Sequence, residues 1–275
     1  MGDMLVEVRE LHYTYSDEHD ALKGISVGIR QGEKVAVVGS NGAGKSTFFL
    51  NLNGVLTPSF GEILYRGRVM GRSKKDLNEL RKNIGIVFQD ADNQIIASTV
   101  MGEVSFGPMN LKLSREEVRE RVEEALAYMN ITEFRDRPPH YLSGGEKKRV
   151  SIADIIAMKP ELIIFDEPTA ALDPLNAGRL EHTLSRLEEQ GMTMLISTHD
   201  IDFAYRWADR VLVFAEGSII ADGDPVAVFK DMDVLLRAHL RRPTLLDMYD
   251  LLVERGKLPD EGRYPRRVED FAEIL

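Results

Sequence analysis

The chain contains no cysteine, which excludes disulfide scaffolding, zinc–thiolate sites and thiol nucleophiles while leaving the compartment open. It also lacks any run of about 18 apolar residues, the length a membrane-spanning helix needs. Basic excess is missing too: Lys+Arg 35 against Asp+Glu 45 leaves a formal charge of −10. A surface with that balance repels polyanions, so nucleic acid is not an expected partner. The opening stretch Met1–Arg9 alternates acidic and apolar residues, unlike the basic-then-apolar layout of a secretory signal. The six histidines show no HxxxH-type spacing for a resident metal. Internal repeats and low-complexity tracts are absent as well. What remains is ordinary globular composition, 43% hydrophobic and 29% charged over 275 residues, enough for one large domain with a modest appendage. The expected location is the cytosol, with any membrane role exercised through a partner.

Short runs that are apolar on both faces recur along the chain: residues 34–38, 162–165, 194–196 and 211–214. Such runs suit parallel strands covered by helices on each side. The first forty residues alternate more, in Leu5-Val6-Glu7-Val8 and in 21–30, which predicts an antiparallel sheet beside that core. A helix is predicted over 114–130, with Ser114 as its cap, Glu117 at the capping-box position and Val118, Val122, Ala125, Leu126 and Met129 as one apolar stripe. Its Arg and Glu residues are expected to face solvent. Beyond Gly223-Asp224-Pro225 the pattern turns helical, with Leu245, Met248, Tyr249 and Leu252 predicted on one face. The expected division is therefore 1–224 and an appended helical element, 225–275.

Gly39-Ser40-Asn41-Gly42-Ala43-Gly44-Lys45-Ser46-Thr47 follows a buried strand and opens a helix carrying Phe48, Phe49 and Leu52, which Gly54 ends. This is the GxxxxGK[ST] phosphate loop in the strand–turn–helix setting that gives the motif its meaning. Glycines let backbone N–H groups converge on phosphate oxygens, and the helix N-terminus adds partial positive charge. Lys45 is then the residue for the β- and γ-phosphates, and Ser46 a ligand for Mg²⁺. The run 162–165 ends in Asp166 and Glu167. Two carboxylates beyond the C-terminal end of such a strand fit one Mg²⁺ ligand held through water, Asp166, and one base for an attacking water, Glu167.

Leu142-Ser143-Gly144-Gly145-Glu146, followed by Lys147, Lys148 and Arg149, opens a further helix about 20 residues before the acidic strand. By itself a Ser-Gly-Gly is ordinarily a loop. Here it resembles the signature motif of ATP-binding-cassette proteins, and the resemblance covers residues 1–224. It implies an α/β P-loop NTPase with a RecA-like parallel-sheet core, an antiparallel β subdomain and a helical signature subdomain, plus the small C-terminal helical extension. It also implies roles for Gln89 as the Q-loop glutamine, Ala171-Leu172-Asp173 as the D-loop and His199 as the switch histidine. Gln89 joins Ser46 and Asp166 around Mg²⁺, and Tyr15, or else Tyr13, is the aromatic that stacks on adenine. Ser143, Gly144 and Gly145 face the γ-phosphate of ATP bound by a second ATPase subunit, in a homodimer or a heterodimer.

Phe88-Gln89-Asp90-Ala91-Asp92-Asn93-Gln94-Ile95, with Thr99-Val100 and Phe106-Gly107-Pro108, resembles the Q-loop region of energy-coupling-factor ATPases. Their usual pattern, Gln-Asn-Pro-Asp-Asn-Gln, is departed from at Asp90 and Ala91. Leu240-Arg241-Arg242-Pro243 and Gly256-Lys257-Leu258-Pro259 resemble the same group, in which the extension helps pair the ATPases. The resemblance implies a peripheral subunit on the cytoplasmic face of the cell membrane. It would serve an importer of cobalt ions, or alternatively of nickel or a vitamin, and meet integral membrane subunits through residues 90–108. Gln94 and Ile95 are the positions at which charged replacements are expected to uncouple transport. A soluble ATPase of the same family acting on DNA or ribosomes is the competing class. DNA-repair versions place a long coiled coil between loop and signature, whereas here about 95 residues intervene without sustained heptads. Ribosome-acting versions usually carry two cassettes in one chain, and this one carries one.

Overall fold

The computed structural model describes residues 3–16, 18–170, 172–259 and 262–274; Met1, Gly2 and Ala171, named above, lie outside them. The first half runs β1 (Met4–Thr14), β2 (Asp20–Arg30), β3 (Lys34–Val38), α1 (Lys45–Leu52), β4 (Phe60–Tyr65), β5 (Arg68–Val69), α2 (Lys74–Asn83) and β6 (Ile84–Val87). A helical stretch follows, α3 (Val100–Asn110), α4 (Arg115–Tyr128) and α5 (Gly144–Ala157). Strands and helices then alternate through β7 (Leu162–Asp166), α6 (Pro174–Glu189), β8 (Thr193–Ser197), α7 (Ile201–Trp207), β9 (Arg210–Ala215) and β10 (Ser218–Gly223). The chain closes with α8 (Pro225–Lys230), α9 (Met232–Ala238), α10 (Thr244–Glu254) and α11 (Phe271–Ile274).

The apolar runs become the inner strands of a six-stranded sheet ordered β10-β9-β3-β8-β7-β6. β3 lies parallel between β8 and β9, and β7 parallel between β8 and β6. Only β10, at the edge, runs antiparallel to its neighbour. Alternation across the sheet explains why these runs are apolar throughout. Val35 and Val37 enter the core shared with α1 and the antiparallel sheet, while Ala36 and Val38 enter the core shared with α3 to α6. Both faces are covered, so neither parity can be polar. The more alternating N-terminal strands form a separate antiparallel sheet, ordered β2-β1-β4-β5. The predicted layers, parallel core, antiparallel sheet and helical segment, are all present.

α4 begins where expected, with the Ser114 hydroxyl accepting from Glu117 N–H at 3.2 Å. The Glu117 carboxylate pairs with Arg121 one turn on, at 2.8 Å. Val122, Ala125, Leu126 and Met129 are buried, and Val118 packs partly against the same core.

In the C-terminal segment, Phe229, Leu235, Ala238 and Leu246 join the core on the α3–α6 side. Tyr249, Leu258 and Phe271 form a smaller cluster, and Leu245 and Tyr264 pack against both. The buried face of α10 differs from the predicted one. It is centred on Leu246 and Tyr249, and Met248 is 47% exposed. α10 has more apolar residues than one face can hold, and being wedged between the body and the tail rotates the choice. No helix among the described residues is long and apolar enough to cross a membrane.

Candidate active site

Three glycines of the turn after β3, Gly39, Gly42 and Gly44, take positive φ, and two of them pack against neighbouring backbone. A Cβ at Gly39 (φ 145°) would lie 2.2 Å from the Phe214 carbonyl oxygen, and one at Gly44 (φ 104°) 2.7 Å from that of Ala21. The loop thus rests on backbone from both sheets, and the Gly217 N–H donates to the Ala43 carbonyl at 3.1 Å. Gly44 caps α1 without any side-chain bond, so the first N–H groups of that helix face outward as an anion site. Asn41, Gly42 and Ser46 are exposed, and Ala43, Lys45 and Thr47 are buried. The Lys45 Nζ folds back on the carbonyls of Gly39 and Ser40, at 2.7 and 3.1 Å. Burial holds the Lys45 ammonium below the usual lysine range, against the pull of the Glu167 and Asp166 charges. Tyr15 reaches the loop through a 3.1 Å hydrogen bond between its hydroxyl and that of Thr47. Tyr13 stands edge-on to it at 4.9 Å and packs against the core.

Parallel pairing of β7 with β8 sets Asp166 opposite Ser197. Ser197 Oγ donates to Asp166 Oδ1 at 2.6 Å and accepts from the Glu167 N–H at 2.8 Å. One hydroxyl therefore fixes both acidic residues, through a strand pairing that no local motif marks. Glu167 takes φ 45°, a conformation costing on the order of 1 kcal/mol outside glycine. Its Oε1 lies 2.7 Å from His199 Nε2. The phosphate loop, Asp166, Glu167 and His199 thus share the C-terminal edge of the parallel sheet, the usual place for ligands in this architecture.

Ser143 caps α5 in a full capping box: its hydroxyl accepts from Glu146 N–H, and the Glu146 carboxylate accepts from Ser143 N–H at 2.7 Å. Those bonds hold the Glu146 carboxyl below the usual carboxylate range. Gly144 is open to solvent, and Gly145 is buried against Asn176, which Asp173 orients from the cap of α6. The tip formed by Ser143, Gly144 and Gly145 thus makes its contacts with Glu146 and Asn176. Gln89 is exposed at the end of β6, and with Gly144 and Leu172 it lines one open cleft.

Within the segment 90–108, Gln94 and Ile95, the positions at which charged replacements are expected to uncouple transport, are half-buried. Gln94 accepts from Phe88 N–H at 3.2 Å and donates to Ser151 O at 3.1 Å, while Ile95 packs against the core. Ile96 and Phe106 face out, 73% and 53% exposed. Spacing alone does not reveal which neighbour an amide will find.

Beneath this segment the buried Glu103 carboxylate accepts from the N–H groups of Ile96 and Ala97, at 2.9 and 2.7 Å. Asp154 of α5 lies close by, with one carboxylate oxygen lacking any hydrogen-bond partner. Burial, then the charge of Glu103, pushes the Asp154 carboxyl up to about 7 from its usual 3.8. Its contribution to stability is complete below the unfolded value and is lost as pH rises through about 7. Asp154→Asn is therefore expected to melt higher than the native chain at pH 8, with the gap closing toward pH 5; the driving term is on the order of a few kcal/mol. Thermal unfolding curves that stay parallel across this range would contradict it.

Comparison with known proteins follows the same lines. Residues 22–170 match the family described as ABC transporter. The chain is 46% identical over 257 residues to the energy-coupling factor transporter ATP-binding protein EcfA of Methanocaldococcus jannaschii, covering 94% of this chain and 92% of that protein. Among solved structures, it is similar to cbiO1 from Clostridium perfringens, described as part of the ABC transporter complex cbiONQ. The TM-score is 0.76 at 44% identity, covering 92% of this chain and 99% of that one. It is also similar to the dimeric structure of MJ0796, a bacterial ABC transporter cassette, with TM-score 0.72 at 31% identity over 80% of this chain and 99% of that one.

Proposed function

Because the chain belongs to the ABC transporter family, as an ATP-binding and ATP-hydrolysing subunit of the energy-coupling-factor type, we propose that it turns over Mg·ATP at sites shared between paired cassettes and so drives cobalt import. The observation that carries the catalytic reading is the 2.7 Å contact of Glu167 with His199 at the strand edge beside Lys45. A carboxylate oriented by an imidazole is placed to take a proton from an attacking water. Lys45 exchanges its loop carbonyls for the β- and γ-phosphates. Tyr15, already tied to Thr47, lies against the adenine. The residues that would hold Mg²⁺ are Ser46, exposed at the start of α1, Gln89, and Asp166, one of whose oxygens accepts from Ser197. All are hard oxygen ligands of the number this ion accepts when phosphates and water complete its shell. When bound, Mg²⁺ neutralises charge on the phosphate oxygens.

The tip of α5, Ser143 to Gly145, with Ser143 and Gly144 exposed, closes on nucleotide held by the second cassette, identical or not. The exposed Met248 and Leu251 of α10 would add to that pairing. The Asp92-Asn93-Gln94 segment, the C-terminal extension and the similarity to cbiO1, part of the ABC transporter complex cbiONQ, support the energy-coupling-factor type; cobalt as cargo rests on the resemblance alone. The chain sits on the cytoplasmic face of the membrane and meets its transmembrane subunits through 90–108, where Ile96 and Phe106 offer the apolar contacts. Affinity purification from native membranes tests this reading. Metal-binding membrane subunits are expected to co-purify, and vitamin-binding ones would overturn the cobalt assignment. Changing Ile96 and Phe106 together to Asp is expected to cut uptake and co-purification at least about tenfold, as for central contacts of an interface. Native uptake in that double variant would remove the surface from the reading.

A further inference from the structure

Lys148 is only 4% exposed, and an ammonium taken from water is tolerated only where acceptors replace the solvent. The acceptors here are backbone. The Lys148 Nζ donates to the Phe88 carbonyl at 2.7 Å and to the Gln89 carbonyl at 2.9 Å. These are consecutive peptide units at the end of β6, the second belonging to the glutamine itself. Lys148 lies on α5, little more than one turn beyond the Ser143–Gly145 tip. The neighbouring Lys147–Asp92 pair, at 2.5 Å, involves a carboxylate 67% exposed and holds little in water. The buried lysine, together with the Gln94 bridge from Phe88 to Ser151, is what joins the Gln89 backbone to the helix.

A carbonyl held by a buried ammonium moves when the helix carrying that ammonium moves. We propose that Lys148 is a positioning residue for hydrolysis: it makes docking of the Ser143–Gly145 tip on the partner's nucleotide and delivery of Gln89 to the chain's own nucleotide one movement. Each site then becomes competent only as the other closes. This inference rests on the reading of Gln89 and of paired cassettes given above.

The test is steady-state ATP hydrolysis by the purified full chain, comparing Lys148→Met, which keeps the length and loses the donors, with Gln89→Ala and the double variant. Lys148→Met is expected to lower kcat about tenfold while KM for ATP stays within about threefold. The double variant is expected to be no slower than Gln89→Ala, because the lysine acts through the glutamine. Lys148→Arg, which keeps the donors, should recover most of the loss; if Lys148→Met does not fold, Lys148→Leu, which also lacks donors, takes its place in the cycle. Losses that multiply in the double variant, or kcat for Lys148→Met within about twofold of native, would overturn the inference alone. Native turnover in Gln89→Ala would instead overturn the reading of Gln89, and the inference with it.

Discussion

Glu167→Gln is expected to abolish turnover while leaving ATP-dependent pairing of the chains in place. Loss of a positioned general base costs about 10²–10⁴-fold in rate, and here the substitution changes little else. The amide keeps the size of the carboxyl and can still accept from His199 Nε2, which now lies 2.7 Å away. The bond from the residue's own N–H to Ser197, at 2.8 Å, involves no side-chain atom of Glu167, so the backbone turn survives. Phosphate release and light scattering, with and without ATP, separate the two effects. The variant should accumulate as ATP-bound dimers, more of them than the native chain forms under the same conditions. An unchanged hydrolysis rate would take Glu167 out of the chemistry altogether.

Ser143→Arg should produce the complementary defect, a chain that binds ATP but cannot close. The guanidinium would fill the approach to the open Gly144 backbone and obstruct the N–H groups that are to meet the opposite γ-phosphate. Removing donors aimed at such an oxygen lowers turnover about 10²–10³-fold. The change also removes a cap, since the Ser143 hydroxyl accepts from Glu146 N–H, at a cost of about 1 kcal/mol. Ser143→Ala isolates that smaller loss and is expected to retain far more activity. Closed dimers of Ser143→Arg in ATP, seen by scattering, would contradict the assigned contact.

The features legible in the sequence were those written in contiguous residues. The phosphate loop, the Asp166-Glu167 pair and the Ser-Gly-Gly helix start each carry their chemistry within a few positions. The doubly buried strands announced themselves by apolar residues at both parities. Ser197 and Lys148 were not legible. The first meets Asp166 across 31 residues of sequence and the second meets Phe88 across 60. Strand register decides one contact and helix packing the other, and neither leaves a local mark. Met248 fell on the wrong face for the same reason: polarity limits which residues can face water, and tertiary neighbours choose among them.

The backing of the phosphate turn by main-chain atoms of Phe214, Ala21 and Gly217 has a bearing on timing. A binding loop that has already surrendered its conformational freedom during folding has little left to lose when the nucleotide arrives. If this turn is the nucleotide site, capture is expected to proceed without a slow ordering step, and release without a refolding barrier. On the proposed reading, the pace of each cycle would then be left to the approach and separation of paired cassettes.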